Sequence, residues 1–323
     1  MNALDLGQTI VTGSSQGIIH NFQFIRMKLC FVTKVGSSII PFSNYKNLVS
    51  LNRYSTGWKC GLHSDWTELT GCVDNYMSET ETPVPNRRYF YITFLRDPVD
   101  RYLSEWRHVS RGATWRDATL SCGGHVWGDI LPKCYGEGED DDWRGVKLKE
   151  FMECPHNLAS DRQTRMLADL NLVNCYNTTN MNETKRNQII LNSAKANLVN
   201  MAYFGLTEEQ EKSQYLFEET FNLRFKTDFN QLDKSDTHSG HSQNELSNEE
   251  ITSVRNLNKL DVELYKFAKE LLIRRFNEMK DNDDSFQEHL DEVEHEKEFS
   301  WEDIENENYD ENDNKQLQHL ERR

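Results

Sequence analysis

The chain reads as an α/β protein with a central, mainly parallel sheet flanked by helices. Two stretches carry that reading. Tyr89 to Leu95, YFYITFL, is aromatic and β-branched and long enough for one buried strand. It stops at Arg96-Asp97-Pro98, and Val99 to Arg107 follows as a helix, because Pro98 cannot donate to a ladder but its fixed φ suits a first helical turn. The second stretch is Met201 to Leu206, MAYFGL, another buried run, after which Thr207 can cap a helix over Glu208 to Phe221. Strands alternating with helices in this way build parallel α/β layers.

Taken from the start, residues 1–25 show no clear period and stay unassigned. Lys28 to Val32, KLCFV, is a short strand candidate, and Thr67 to Met77 includes a possible helix. Glu79 to Asn86 carries Pro83 and Pro85 and reads as a surface loop. After the first strand and helix, residues 117–145 are rich in Gly and Asp and are expected to form a long surface loop pinned by Cys122 and Cys134. Leu158 to Leu170 and Asn182 to Asn200 read as helices. Lys226 to Asn248 is polar and reads as a mobile loop. Leu246 to Met279 is expected to hold one long helix, with Val254, Leu257, Leu260, Leu264, Phe267 and Leu271 at three- or four-residue spacing.

A net charge of −16 at first argues against a partner that is itself a polyanion. The charge is uneven, however. Asp281 to Arg323 holds 17 acidic and 4 basic residues, a net of −13, which leaves −3 for residues 1–280. The expected organisation is therefore a domain over 26–280 and an acidic tail over 281–323, disordered or a frayed helix. Nothing in the composition points to nucleic acid as a partner. No stretch approaches 18 apolar residues, and residues 1–25 lack the pattern of a signal peptide.

Three residue sets carry candidate chemistry. In KLCFVTKVGSS a strand runs into Lys34, Gly36, Ser37 and Ser38, where backbone N–H groups and two hydroxyls can cradle a phosphate and Lys34 can neutralise a leaving oxygen. This is not a Walker A loop, because the Lys precedes the Gly. Arg96, at a strand's carboxyl end, and Ser104, about two helical turns on, suit a phosphate. His63, in WKCGLH, can be neutral near pH 6.5 and accept a proton. Asn177-Thr178-Thr179 and Asn182-Glu183-Thr184 are glycosylation sequons. The cysteines Cys60, Cys72, Cys122, Cys134, Cys154 and Cys175 fall into three local pairs, although six cysteines allow 15 pairings; none has zinc-ligand spacing, and Cys30 is left over as a buried thiol.

LRDPVDRYLS resembles the 3′-phosphate-binding segment of sulfotransferases that use PAPS (3′-phosphoadenosine 5′-phosphosulfate). RYSTGWKCGLHSDWTEL, RYLSEWRHVSRGATW, EFMECPHNLASDRQTRMLADLNLV and MAYFGLTEEQEKSQYLFEETFNL resemble the heparan sulfate 6-O-sulfotransferases, a likeness from about Arg53 to about Phe276. The resemblance implies a P-loop-like sulfotransferase fold and sulfuryl transfer from PAPS, without a metal, to the 6-hydroxyl of glucosamine in a heparan sulfate chain. It implies Lys34 and His63 as catalytic groups and Lys34, Gly36, Ser37, Ser38, Arg96 and Ser104 around the nucleotide. Trp58, His108, Arg111, Trp115, Gln163 and Arg165 become candidate acceptor contacts beside His63. Disulfides Cys60–Cys72, Cys122–Cys134 and Cys154–Cys175, glycosylation at Asn177 and Asn182, and a Golgi location behind an N-terminal membrane anchor are implied too. That anchor is not in this sequence, so the N-terminus is expected to be truncated or wrongly joined. Two competing readings are a catalytically impaired heparan-binding relative and a sulfotransferase for another sugar position.

Overall fold

Strands β1 (Ile92–Leu95) and β4 (Tyr203–Leu206) run parallel, with Ile92 opposite Tyr203 and Leu95 opposite Leu206. They belong to a computed structural model that describes residues 65–80, 91–112, 121–127, 134, 143–155, 157–221 and 246–288. The pair is flanked by helices, which is the mixed α/β arrangement the sequence predicts. The Lys28–Val32 strand candidate, Cys30 and most of the Lys226–Asn248 loop lie outside the described residues.

All four β4 residues are buried, as expected for a strand covered on both faces. Gly205 faces Phe94 across the pair, and a Cβ there would lie 2.3 Å from the Phe94 ring. Only glycine leaves room for that ring on the face of the paired strands. Beyond the strands, Thr207 N donates to Leu95 O at 3.0 Å and so lengthens the ladder by one rung. Ser213 closes the far edge: its hydroxyl accepts from Leu206 N at 2.9 Å and lies 3.2 Å from Leu206 O.

Around this pair stand α1 (Trp66–Thr80), α2 (Pro98–Ser110), α3 (Leu148–Glu153), α4 (Arg162–Leu167), α5 (Glu183–Asn200), α6 (Gln210–Phe221), α7 (Asn248–Leu257) and α8 (Lys259–Lys280). The larger apolar cluster joins β1 and β4 to α5, α6 and α8 through residues such as Leu95, Leu198, Phe204, Phe217 and Leu264. A second cluster packs α2 and α3 against Val254 of α7 through Val99, Tyr102, Leu103 and Phe151.

Local signals set several boundaries. Asp97 caps α2, its Oδ1 accepting from Val99 N at 2.9 Å and Asp100 N at 3.1 Å, and Pro98 occupies the first turn. Asn182 caps α5 in the same way, and Ser247 with Glu250 forms a capping box on α7.

Four expectations need correction. The long helix expected over Leu246–Met279 is two helices broken at Asn258, whose side chain is buried and bonded to other elements. The helix expected over Leu158–Leu170 is only Arg162–Leu167, followed by a 3-10 turn at Leu170–Val173, because Asp161 sits in the left-handed region at φ 48°. Thr207 does not cap α6; its hydroxyl donates to Glu208 Oε1 at 2.8 Å, and the helix begins at Gln210. The acidic segment from Asp281 begins as a docked turn, with Tyr215 Oη donating to Asp283 at 2.7 Å and Phe286 packed on Tyr215 and Phe276.

The disulfides are the fifth correction. Cys122 is bonded to Cys175 and Cys134 to Cys154, so the expected pairs Cys122–Cys134 and Cys154–Cys175 do not form. A hairpin explains the exchange. Strands β2 (Ser121–Cys122) and β3 (His125–Val126) turn through Gly123 and Gly124, both with positive φ, and lay Cys122 against the 3-10 turn that ends beside Cys175. Arg186 of α5 then clamps that turn by donating to the carbonyls of Val173 and Cys175. Cys72 is also disulfide-bonded; Cys60, its expected partner, lies outside the described residues.

Candidate active site

The carboxyl ends of β1 and β4 meet at Arg96-Asp97 and Thr207-Glu208, the position where open α/β sheets bind ligands. Among the described residues the Arg96 guanidinium and the Ser104 hydroxyl have no hydrogen-bond or ion-pair partner, and both are partly exposed. Ser104, His108 and Arg111 follow at i, i+4 and i+7 on one face of α2, and His108 and Arg111 are exposed. An unpaired guanidinium at a strand end and an unpaired hydroxyl about two turns along α2, with two basic residues farther on, make an anion-receptive surface. This donor set fits an anionic oxygen group such as a phosphate.

The Arg96 backbone, by contrast, is fully engaged. Arg96 N donates to Gln163 Oε1 at 2.9 Å, and Gln163 Nε2 donates back to Arg96 O at 3.0 Å. Next along, Asp97 N donates to Glu208 Oε1 at 2.9 Å. The Tyr265 hydroxyl donates to the other Glu208 oxygen at 2.7 Å. Gln163 is only 2% exposed and both ends of its amide are in use, so it is not placed to meet an acceptor as the sequence suggested. Arg165 is occupied as well, donating to Leu158 O at 2.5 Å.

Behind these residues lies a buried polar seam between α2, α4 and α8. Asp261 is 0% exposed, yet Oδ1 accepts from Thr164 N and Thr164 Oγ1, each at 2.7 Å, and Oδ2 accepts from Gln163 N at 3.1 Å. It thereby caps α4 from outside. Asp161 returns the arrangement: its Oδ1 accepts from Leu260 N at 2.9 Å and Asp261 N at 3.1 Å and caps α8. Arg101 ties α2 into the seam. It donates to Glu105 at 2.8 Å, to Ala159 O at 2.6 Å and to Asn258 Oδ1 at 2.8 Å, with Nε 3.7 Å from Asp261. Arg162 also pairs with Glu105.

The sequence reading missed Asp161, Asp261, Asn258 and Glu208. A signal for Asp261 existed: it falls on the same stripe as Leu264, Ala268 and Leu271, and a carboxylate on a buried stripe implies a buried partner.

Burial pushes the Asp161 carboxyl up to about 7, and the facing Asp261 charge pushes the same way; the N–H groups of Asp261 and Leu260 and the Arg101 charge oppose it. The folded state thus holds this proton more tightly than the unfolded chain. Its stabilising contribution is full below the ordinary value of 3.8 and is lost as pH rises through about 7. Asp161→Asn keeps an oxygen for the two N–H groups and suits a left-handed backbone. The variant should gain stability relative to wild type between pH 5 and pH 8, on the order of 2 kcal/mol, by urea unfolding at both pH values.

Asp65 begins the described chain two residues after His63. It is 5% exposed, accepts from Glu68 N at 2.9 Å and from the Tyr176 hydroxyl at 3.3 Å, and so fixes the start of α1. Burial pushes its carboxyl up, with the Glu68 N–H and Arg165 opposing. Lys34, Gly36, Ser37, Ser38, Trp58, His63 and Trp115 themselves lie outside the described residues. Among the described residues no cluster of His, Cys, Asp or Glu could hold a metal ion, and no helix is long and apolar enough to cross a membrane.

A strand end that presents, among the described residues, an unpaired Arg before a Pro-started helix is a place where an α/β protein can receive an anion. A family model described as "Sulfotransferase family" matches residues 23–268, and the chain belongs to that family. It is similar to heparan-sulfate 6-O-sulfotransferase 3-B of Danio rerio, 53% identical over 226 residues, which is 70% of this chain and 52% of the relative. Heparan-sulfate 6-O-sulfotransferase 3 of Homo sapiens is 52% identical over 233 residues, 71% of this chain and 48% of the relative. Heparan-sulfate 6-O-sulfotransferase 1 of Gallus gallus is 54% identical over 222 residues, 68% of this chain and 52% of the relative. The chain spans about half the length of the curated relatives it matches.

Proposed function

We propose that the protein transfers a sulfuryl group from PAPS to the 6-hydroxyl of glucosamine residues in heparan sulfate. One observation carries the reading: among the described residues the Arg96 guanidinium and Ser104 hydroxyl have no partner, while the Arg96 backbone is bonded on both sides. The similarity to relatives named for this reaction supports the choice of acceptor.

Bound PAPS supplies the sulfuryl group. Arg96 and Ser104 hold its 3′-phosphate by charge-assisted hydrogen bonds. Gly36, Ser37 and Ser38 cradle the 5′-phosphosulfate, and Lys34 neutralises charge on the phosphate oxygen as its bond to sulfur breaks. His63 takes the proton from the 6-hydroxyl as the new oxygen–sulfur bond forms in line. Trp58 and Trp115 pack on sugar faces, and His108 and Arg111 meet the acceptor's sulfates and carboxylates. No resident metal is needed for these roles.

Disulfides Cys122–Cys175 and Cys134–Cys154 favour an oxidising compartment, here the Golgi lumen, entered behind an N-terminal anchor. Asn177 and Asn182 are its glycosylation sites. Their Oδ1 atoms accept from Thr179 and Thr184 within their own sequons, at 2.7 Å and 2.9 Å, which leaves each Nδ2 available.

Calorimetric binding of 3′-phosphoadenosine 5′-phosphate tests the reading. Wild type should bind, and Arg96→Ala should weaken binding at least about tenfold, as for loss of one charged hydrogen-bond partner. Absence of wild-type binding would favour a heparan-binding protein without transfer.

A further inference from the structure

The Arg96–Gln163 pairing is a device that the reaction itself does not require. A single side-chain amide occupies both the N–H and the C=O of the residue that ends β1, at 2.9 Å and 3.0 Å. It behaves as a one-residue extension of the sheet on the side that β4 does not cover. Glu208 fastens the next N–H, at Asp97, from the β4 side. Gln163 is itself fixed, since its own N–H is held by Asp261, and Asp261 stands 3.7 Å from the Nε of Arg101 on α2. Ser104 is one turn farther along α2. The contacts close a ring from the Arg96 backbone through Gln163, Asp261 and Arg101 to α2, and back through Asp97 to Arg96. A ring of this kind fixes the spacing between the Arg96 guanidinium and the Ser104 hydroxyl, which have no partner among the described residues, without touching either of them.

We propose that Gln163 is the positioning residue for the Arg96–Ser104 pair: its amide holds the Arg96 backbone so that both donors reach one phosphate group. The proposal rests on the nucleotide reading of Arg96 given above. Gln163 touches neither nucleotide nor acceptor in this role, and the chemistry it serves is recognition of the 3′-phosphate alone. A displacement on the order of 1 Å at a binding group is enough to lose most of its contribution.

The test compares two nucleotides by calorimetry: 3′-phosphoadenosine 5′-phosphate, and adenosine 5′-monophosphate, which lacks the 3′-phosphate. Gln163→Met keeps the volume and removes both hydrogen bonds. It should raise Kd for the first nucleotide about tenfold and leave Kd for the second within about twofold. Should Gln163→Met not fold, Gln163→Glu keeps the shape and one acceptor but sets an oxygen against Arg96 O, and the same selective loss is expected. Equal weakening for both nucleotides, or no change for either, overturns the proposal. Arg96→Ala separates the two levels. If Arg96→Ala abolishes the preference for the 3′-phosphate and the Gln163 variants keep it, the positioning role fails alone. If Arg96→Ala keeps the preference, the nucleotide reading of Arg96 fails.

Discussion

Asp261→Ala should cost about 3–5 kcal/mol of stability, the largest effect expected of a single side chain here, because it breaks a buried ion pair from one side only. Asp261 is fully buried and receives three hydrogen bonds, from Gln163 N, Thr164 N and Thr164 Oγ1. Removing the carboxylate leaves those donors without a partner and leaves Arg101, 5% exposed, with Glu105 as its remaining anion. The Arg101 Nε has no hydrogen bond even in the wild type, so its nearest compensation is the Asp261 charge at 3.7 Å. Urea midpoints for Asp261→Ala and Asp261→Asn measure this. The asparagine variant should also lose stability, since its NH2 group would face donors that need an acceptor. A shift below about 1 kcal/mol in both variants would mean that the seam is wetter and less important than its burial implies.

Replacing Cys122 and Cys175 together by alanine should cost about 4 kcal/mol on the chain-entropy account, given the 53-residue separation that the bond spans. The pairing matters beyond its energy. It fastens the β2–β3 hairpin to the 3-10 turn and to the start of the segment that carries both sequons. Removing Cys134–Cys154, which spans 20 residues, should cost less, about 3 kcal/mol by the same relation. Peptide mapping under non-reducing conditions should recover a Cys122–Cys175 peptide and a Cys134–Cys154 peptide. Recovery of Cys122–Cys134 would restore the local pairing expected from the sequence. Chemical unfolding of the two double variants then ranks the bonds.

What the sequence made legible was local in origin. β1 and α2 were readable because YFYITFL and Pro98 each act within a few residues: an apolar run and a fixed φ. α5, expected over Asn182 to Asn200, formed over Glu183–Asn200. The break at Asn258 was not readable, because nothing beside it in the chain ends a helix; its side chain is bonded to Arg101 and to Asp161 N, both roughly a hundred residues or more away. Disulfide connectivity failed similarly, since the hairpin that carries Cys122 to Cys175 is a tertiary placement. For the site, Arg96 and Ser104 were singled out by their position after a strand, whereas the Gln163 amide proves to be buried and bonded to the Arg96 backbone. A glutamine beside two arginines looks like a polar surface until burial shows what its amide holds.

The proposed activity is transfer of a sulfuryl group to one position on one sugar, with His63 as the base. Incubation of the secreted, disulfide-intact protein with sulfur-labelled PAPS and N-sulfated heparan, followed by disaccharide analysis of the product, tests it directly. Label is expected at the glucosamine 6-position, with at least about a hundredfold less label from His63→Ala, the range for loss of a general base. Label at another position, or no transfer while heparan binding persists, would contradict it.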